Sequence, residues 1–148
     1  MTEQIKENYP EDATFYTQIL RSATIAYRPL HLQELVSTTA LPEEQFKDNL
    51  LVVELVELYS SFLTIREERV YLVHQSVKDY LTSGKGSSIF PSGMSEEHYD
   101  IIGRSIQAIS AVLREDICGL KEPSALASEA GDKISNSPLM RIEYACCY

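Results

Sequence analysis

The residue types able to do chemistry gather in one stretch. His74, Ser76 and Asp79 lie two and three residues apart, the three side-chain types of a hydrolytic relay. A relay needs these groups to converge, with an oxyanion donor beside the nucleophile. Adjacent turns of one short helix do not present them that way and no oxyanion element is evident, so no catalytic residue is assigned. Gly84-Lys85-Gly86-Ser87-Ser88 offers a lysine and a hydroxyl in a Gly-rich tract. It lacks the GxxxxGK[ST] spacing and follows a helix, whereas a phosphate loop follows a strand; it reads as linker. Cys118, Cys146 and Cys147 are odd in number, two of them adjacent. They make neither a disulfide framework nor a zinc spacing, so they read as reduced thiols and no metal ligand is assigned. His74 has a reading of its own. An imidazole at a helix N-terminus, beside free backbone N–H groups, is placed to donate to a phosphate.

The elements that must hold it follow from pattern and punctuation. Asp12 caps a helix to about Ala26, with Phe15, Ile19, Ala23 and Ala26 on one face. Arg28-Pro29 ends it, since the residue before proline leaves the α region. A short helix from His31 to Ser37 follows. Pro42 opens a third helix running to about Tyr59, with Glu43 and Glu44 in its first turn and a narrow polar stripe at Lys47, Glu54, Glu57 and Ser61. Helix three is apolar enough for a central core element. Phe62–Arg66 and Arg69–Val73 read as a hairpin turning at Glu67-Glu68, without the Asn-Gly or Asp-Gly pair a two-residue loop favours. Ser76 with Asp79 resembles a capping box for a short helix burying Val77, Tyr80 and Leu81.

Residues 82–93, TSGKGSSIFPSG, carry three glycines and five Ser/Thr residues and form the linker. Ser95 then caps a long helix whose Tyr99, Ile102, Ile106, Ile109 and Leu113 make an apolar seam, with Glu96 and Glu97 in its first turn. Residues 116–136 are a polar connection, and the last residues start a helix. Helix, helix, helix, hairpin, helix is the order of a winged helix. The expected fold is mainly α: a leader over 1–11, a winged-helix domain over 12–83, a Ser/Gly linker over 84–94 and a helical extension over 95–148.

Composition narrows the class. Apolar residues make up 44% and charged residues 24%, ordinary for a soluble globular protein. No run approaches the ~20 apolar residues that span a bilayer, and the polar start, MTEQIKENYPEDA, is no signal or transit peptide. No membrane partner and a cytoplasmic address are expected. The net charge is −9, with 7 basic against 13 acidic residues in 1–83 and 6 against 9 in 84–148. No basic face is hidden by an acidic tail, which opposes binding to a phosphate backbone. On helix three Glu43, Glu44, Asp48, Glu54 and Glu57 face a single base, Lys47, so no nucleic-acid partner is expected.

AYRPLHLQEL (26–35) and SFLTIREERVYLVHQSVKDYL (61–81) resemble the winged-helix region of fungal NACHT-type STAND NTPases, fungal relatives of NLR immune receptors, and SPLMRIEYACCY (137–148) resembles a segment common in these proteins, where a short helix leads towards ankyrin or WD-type repeats. The resemblance covers Phe15 to Leu81 best. It implies a regulatory, non-enzymatic module that couples the nucleotide state of an ATPase domain to downstream ankyrin or WD-type repeats. It also implies that His74 contacts the β-phosphate of ADP. The related Met-His-Asp motif stands here as Val73-His74-Gln75, with the acid replaced by an amide. In the family pattern a tryptophan follows the last tyrosine; this chain ends at Tyr148 and reads as an excised or truncated piece. No cofactor is expected in this chain, and ADP or ATP only where the ATPase domain is present. Two alternatives stay open: a winged-helix nucleic-acid-binding domain and a stand-alone protein-interaction module.

Overall fold

The computed structural model describes residues 10–39, 41–42, 44, 49–58, 60–84, 89–115, 117 and 138–148. Among these the chain is mainly helical, with one small antiparallel sheet. Helix α1 (Pro10–Ile25) leads into β1 (Leu30–His31) and α2 (Leu32–Thr38). Helix α3 (Leu50–Leu58), the hairpin β2 (Leu63–Arg66) and β3 (Arg69–Leu72), and α4 (Gln75–Thr82) follow. Helix α5 (Met94–Val112), a 3-10 turn over Pro138–Arg141 and α6 (Glu143–Cys147) complete the described elements.

Proline cannot donate a backbone hydrogen bond and is tolerated in a first helical turn. Accordingly α1 starts at Pro10, and Asp12 sits inside its first turn, not at its cap. The helix buries Tyr16, Ile19, Leu20 and Thr24. Burying the Thr24 hydroxyl is tolerable because it donates to the Leu20 carbonyl at 2.7 Å. Arg28-Pro29 ends the helix as expected, but the chain then forms two residues of strand. Leu30 pairs with Val70 and His31 with Arg69, giving the sheet order β1-β3-β2. A two-residue strand is too short to show a period in sequence.

Three further helix starts differ from the sequence reading. Helix α3 begins at Leu50 and not at Pro42, because Asn49 has φ +59°, a left-handed backbone that interrupts any helix through it. Its exposed acids are therefore Glu54 and Glu57; Glu44 lies in a turn, and Glu43, Lys47 and Asp48 lie outside the described residues. Helix α4 is capped by His74, not Ser76. Helix α5 begins at Met94 after Gly93, whose φ of +90° suits glycine, so Ser95 is within it.

The core gathers Ile19, Leu30, Leu35, Val52, Val56, Leu63 and Val70 from the three N-terminal helices and the sheet. From α4 it takes Leu81, whereas Tyr80, expected inside, is half exposed. The hairpin pairs Arg66 with Arg69, leaving Glu67 and Glu68 as a two-residue loop at φ +49° and +57°. That is the geometry glycine and asparagine normally supply, and holding it with side-chain-bearing residues costs about 1–2 kcal/mol at each. The turn is held from outside: the Leu32 N–H donates to the Glu68 carbonyl at 2.8 Å.

Beyond α4, in the stretch read as linker, Phe90 is buried and the Arg21 guanidinium donates to the Ile89 carbonyl; residues 85–88 lie outside the described residues. Arg21 also reaches Glu97 at 3.1 Å, fastening the first turn of α5 to α1. Helix α5 buries Ile101 and Ser105, whereas the seam residues Tyr99, Ile102, Ile106 and Leu113 are exposed. The long helix is where expected, with its faces exchanged.

Candidate functional site

His74 stands at the exposed start of α4, in extended backbone at φ −151° and ψ 151°. Its Nδ1 accepts the Ser76 N–H at 3.2 Å and lies 2.9 Å from the Ser76 hydroxyl. A ring nitrogen that accepts a backbone N–H carries no hydrogen, so the neutral ring holds its proton on Nε2. Among the described residues none accepts from Nε2. The result is a fixed imidazole with a donor aimed away from its helix. Ser76 is engaged as described, and the Asp79 carbonyl accepts the Ser83 N–H at 3.0 Å in the helix C-cap. The capping box expected from Ser76 and Asp79 is absent from the described contacts; His74 does that work.

A second polar centre was not anticipated. Glu34, on α2, is fully buried. Its Oε2 accepts the His31 N–H at 2.7 Å and one Arg28 nitrogen at 2.9 Å. Its Oε1 accepts the other Arg28 nitrogen at 2.7 Å and the Tyr144 N–H at 2.9 Å. Four donors thus fill the acceptor directions of one carboxylate, which is what makes a buried charge tolerable. Through His31 the carboxylate closes a capping box on α2. Through Tyr144 it satisfies an otherwise orphaned N–H at the start of α6. One side chain therefore caps two helices whose donors lie 110 residues from it at the farther end.

Aromatic rings complete this centre. The Arg28 guanidinium lies 5.4 Å from the Tyr144 ring centroid and 5.9 Å from that of Tyr148. Its hydrogen bonds to Glu34 hold its pKa above the ordinary arginine value. Tyr148 stacks on both Tyr144 and Tyr27. The Tyr144 hydroxyl accepts the Tyr27 N–H at 3.3 Å, and burial pushes that phenol up. Ser37 adds a hydrogen bond to the Arg141 carbonyl at 2.5 Å. On the other side the His31 imidazole caps α2 by accepting the Gln33 N–H at 3.2 Å, and its Nε2 lies 3.2 Å from a Glu68 carboxylate oxygen in the hairpin turn.

The three segments that carry the resemblance thus meet at one place: 26–35 supplies Arg28, His31 and Glu34, 61–81 supplies Glu68, and 137–148 supplies Tyr144 and Tyr148. The clue lay in His31-Leu32-Gln33-Glu34, a capping box with histidine in place of serine or threonine. Cys146 and Cys147 are exposed free thiols, and Cys118 and the Lys85–Ser88 tract lie outside the described residues. No helix among the described residues is long and apolar enough to cross a membrane.

Neither a family model nor a solved structure matches the chain. Over its whole length it is 37% identical, in 161 aligned positions, to the vegetative incompatibility protein HET-E-1 of Podospora anserina, of which it spans 12%. The chain is similar to about one-eighth of that fungal protein.

Proposed function

We propose that this chain is a winged-helix regulatory module of a fungal, NLR-like signalling NTPase. In this reading it couples the nucleotide state of a NACHT ATPase domain to downstream ankyrin or WD-type repeats, in the cytoplasm, and is not itself an enzyme. Two things support the class: the resemblance carried by the three segments above, and whole-length similarity to a vegetative incompatibility protein. The helix–helix–helix–hairpin–helix order supports the fold, with β1 as a third strand beside the wing.

The observation that carries the mechanism is His74. Its ring is fixed by the cap on α4, and its Nε2 donor is directed outward, where it donates to the β-phosphate of ADP bound in the ATPase domain. Because Gln75 replaces the motif's acid, the imidazole makes this contact without a neighbouring carboxylate. A donor met only in the ADP state favours that state by its differential contact.

The test is made in the longer polypeptide that carries this module behind its NACHT domain. His74→Ala removes a hydrogen bond to a charged acceptor, on a scale of about 1.5–3 kcal/mol. ADP release should quicken roughly ten- to hundredfold. Unchanged release removes the sensor role. Nucleic-acid binding is disfavoured because the exposed face of α3 carries Glu54 and Glu57.

A further inference from the structure

The hydroxyl of Ser76 does not cap its helix, but it has a partner. It lies 2.9 Å from Nδ1 of His74, the nitrogen that also accepts the Ser76 N–H at 3.2 Å. A ring nitrogen that accepts a backbone N–H carries no hydrogen, so the hydroxyl is the donor in this contact too. Two donors from one exposed residue converge on one edge of the imidazole. The other histidine cap shows what the second donor supplies. At α2 the His31 Nδ1 accepts the Gln33 N–H, and the ring is held besides by burial and by Glu68 facing its Nε2. At α4 neither of those holds is found among the described residues: His74 is exposed, and no acceptor faces its Nε2.

We propose that Ser76 is the positioning residue of the phosphate donor: its hydroxyl fixes the His74 ring with Nδ1 turned to the helix and the Nε2 hydrogen turned to the β-phosphate. This rests on the phosphate contact of His74 proposed above and adds to it a residue that does not itself touch the nucleotide. The torsion that turns an imidazole about its Cβ–Cγ bond is broad. One N–H at one edge leaves an exposed ring able to rock and to turn over. Turning over exchanges Nδ1 with Cδ2 and Nε2 with Cε1, which takes the outward donor out of place. Holding the ring through Nε2, as Glu68 does at His31, would occupy the very donor that a ligand needs. A second donor at Nδ1 fixes the ring and keeps Nε2 free. A ring already aimed has less freedom to lose on meeting the phosphate, which is how preorganisation adds to affinity.

Two readouts test this separately. The first is nuclear magnetic resonance of the isotope-labelled chain at about pH 8, above the ordinary imidazole range. It should find one His74 ring conformer, with the Cε1 proton and not the Cδ2 proton close to the Ser76 amide proton. Ser76→Ala should bring both ring protons into averaged contact with that amide. Ser76→Thr, which keeps the hydroxyl, should restore the single conformer. The second readout is ADP release from the longer polypeptide. Ser76→Ala should quicken it roughly two- to tenfold, the worth of one neutral hydrogen bond, and Ser76→Thr should leave it near the parent rate. In a His74→Ala background Ser76→Ala should add nothing, because two residues acting through one contact are not additive. A serine that merely supports the fold would add its effect there. Ring averaging that is the same with and without the hydroxyl overturns the assignment. So does ADP release indifferent to Ser76→Ala while His74→Ala quickens it, or a Ser76→Ala effect undiminished in the His74→Ala background. Release unchanged by His74→Ala overturns the phosphate contact itself, and the part of Ser76 in it, whatever the ring readout shows.

Discussion

Two helices in this molecule are capped by histidine in the same way, and their surroundings separate them. His31 at α2 and His74 at α4 each accept, through Nδ1, the N–H two residues on, both at 3.2 Å. The third residue of α2 is Glu34, which returns a carboxylate to the His31 N–H; the third residue of α4 is Val77, which has nothing to return. His31 is buried and its second nitrogen faces Glu68, whereas His74 is exposed and its second nitrogen faces no described acceptor. The same local chemistry is committed to architecture at one helix and left available at the other. A histidine at a helix start is therefore informative only together with its surroundings.

The comparison breaks most severely at Glu34. Replacing it with alanine takes from the Arg28 guanidinium its nearest carboxylate, leaving it the Pro29 carbonyl and Glu143 at 3.9 Å, and removes the acceptor of both the His31 and Tyr144 N–H groups. Breaking a fully buried pair from one side costs about 3–5 kcal/mol, and the loss here falls at the low end of that range because Arg28 keeps the Pro29 carbonyl and Glu143. Urea unfolding followed by circular dichroism should show a loss in that range. Hydrogen exchange should show the amides of α6 losing protection before those of α1. A loss below about 1 kcal/mol would mean that the carboxylate organises nothing. Glu34→Gln should recover only part of the loss, since an amide nitrogen directed at Arg28 or at a backbone N–H places donor against donor.

His31→Ala should cost less, about 1–2 kcal/mol. The variant loses the cap on the Gln33 N–H, worth ~1 kcal/mol in comparable helices, and the Glu68 contact. The box bond to Glu34 uses the His31 backbone and survives. The second consequence is local. Glu67 and Glu68 sit in left-handed backbone, and the imidazole is one of the contacts holding that turn in place. Exchange at the hairpin amides should therefore quicken more than global stability falls. Equal changes at hairpin and core would show that His31 acts as a cap alone.

Much of this was legible, and the failures have physical reasons. The hairpin was readable because β-branched and aromatic residues flank a charged pair, and the end of α1 because Arg28 precedes proline. The seam of α5 was readable as a stripe but not as an exposed one. Periodicity reveals which residues share a face, whereas coverage depends on neighbours distant in sequence. Here Arg21 fixes Glu97 and turns Ile101 inward, leaving Ile102 and Ile106 outside. The start of α3 was misplaced because Pro42 and two acids make a good helix opening, which a left-handed Asn49 overrides. His74 was legible at its helix start, its cap and tautomer were not. The Glu34 centre joins residues 110 apart, a pairing no local pattern carries.

The smallest effect on folding, and the sharpest on the comparison, is expected at His74 itself. His74→Ala in this chain deletes one exposed cap bond from an eight-residue helix. The side chain is solvent-exposed, so little packing is lost and water replaces the cap. Loss of an exposed cap lies at the low end of the helix-cap scale, about 0.5 kcal/mol. His31→Ala, with the same bond geometry, should exceed it severalfold in the same urea titration. If the two variants lose equal stability, burial and the Glu68 contact add nothing, and the contrast between committed and available caps collapses. If His74→Ala is the more damaging, His74 is a structural residue, and a change in ADP release in the longer polypeptide would follow from misfolding and not from a lost phosphate contact. Only a small folding effect here, together with faster ADP release there, assigns the imidazole to the nucleotide.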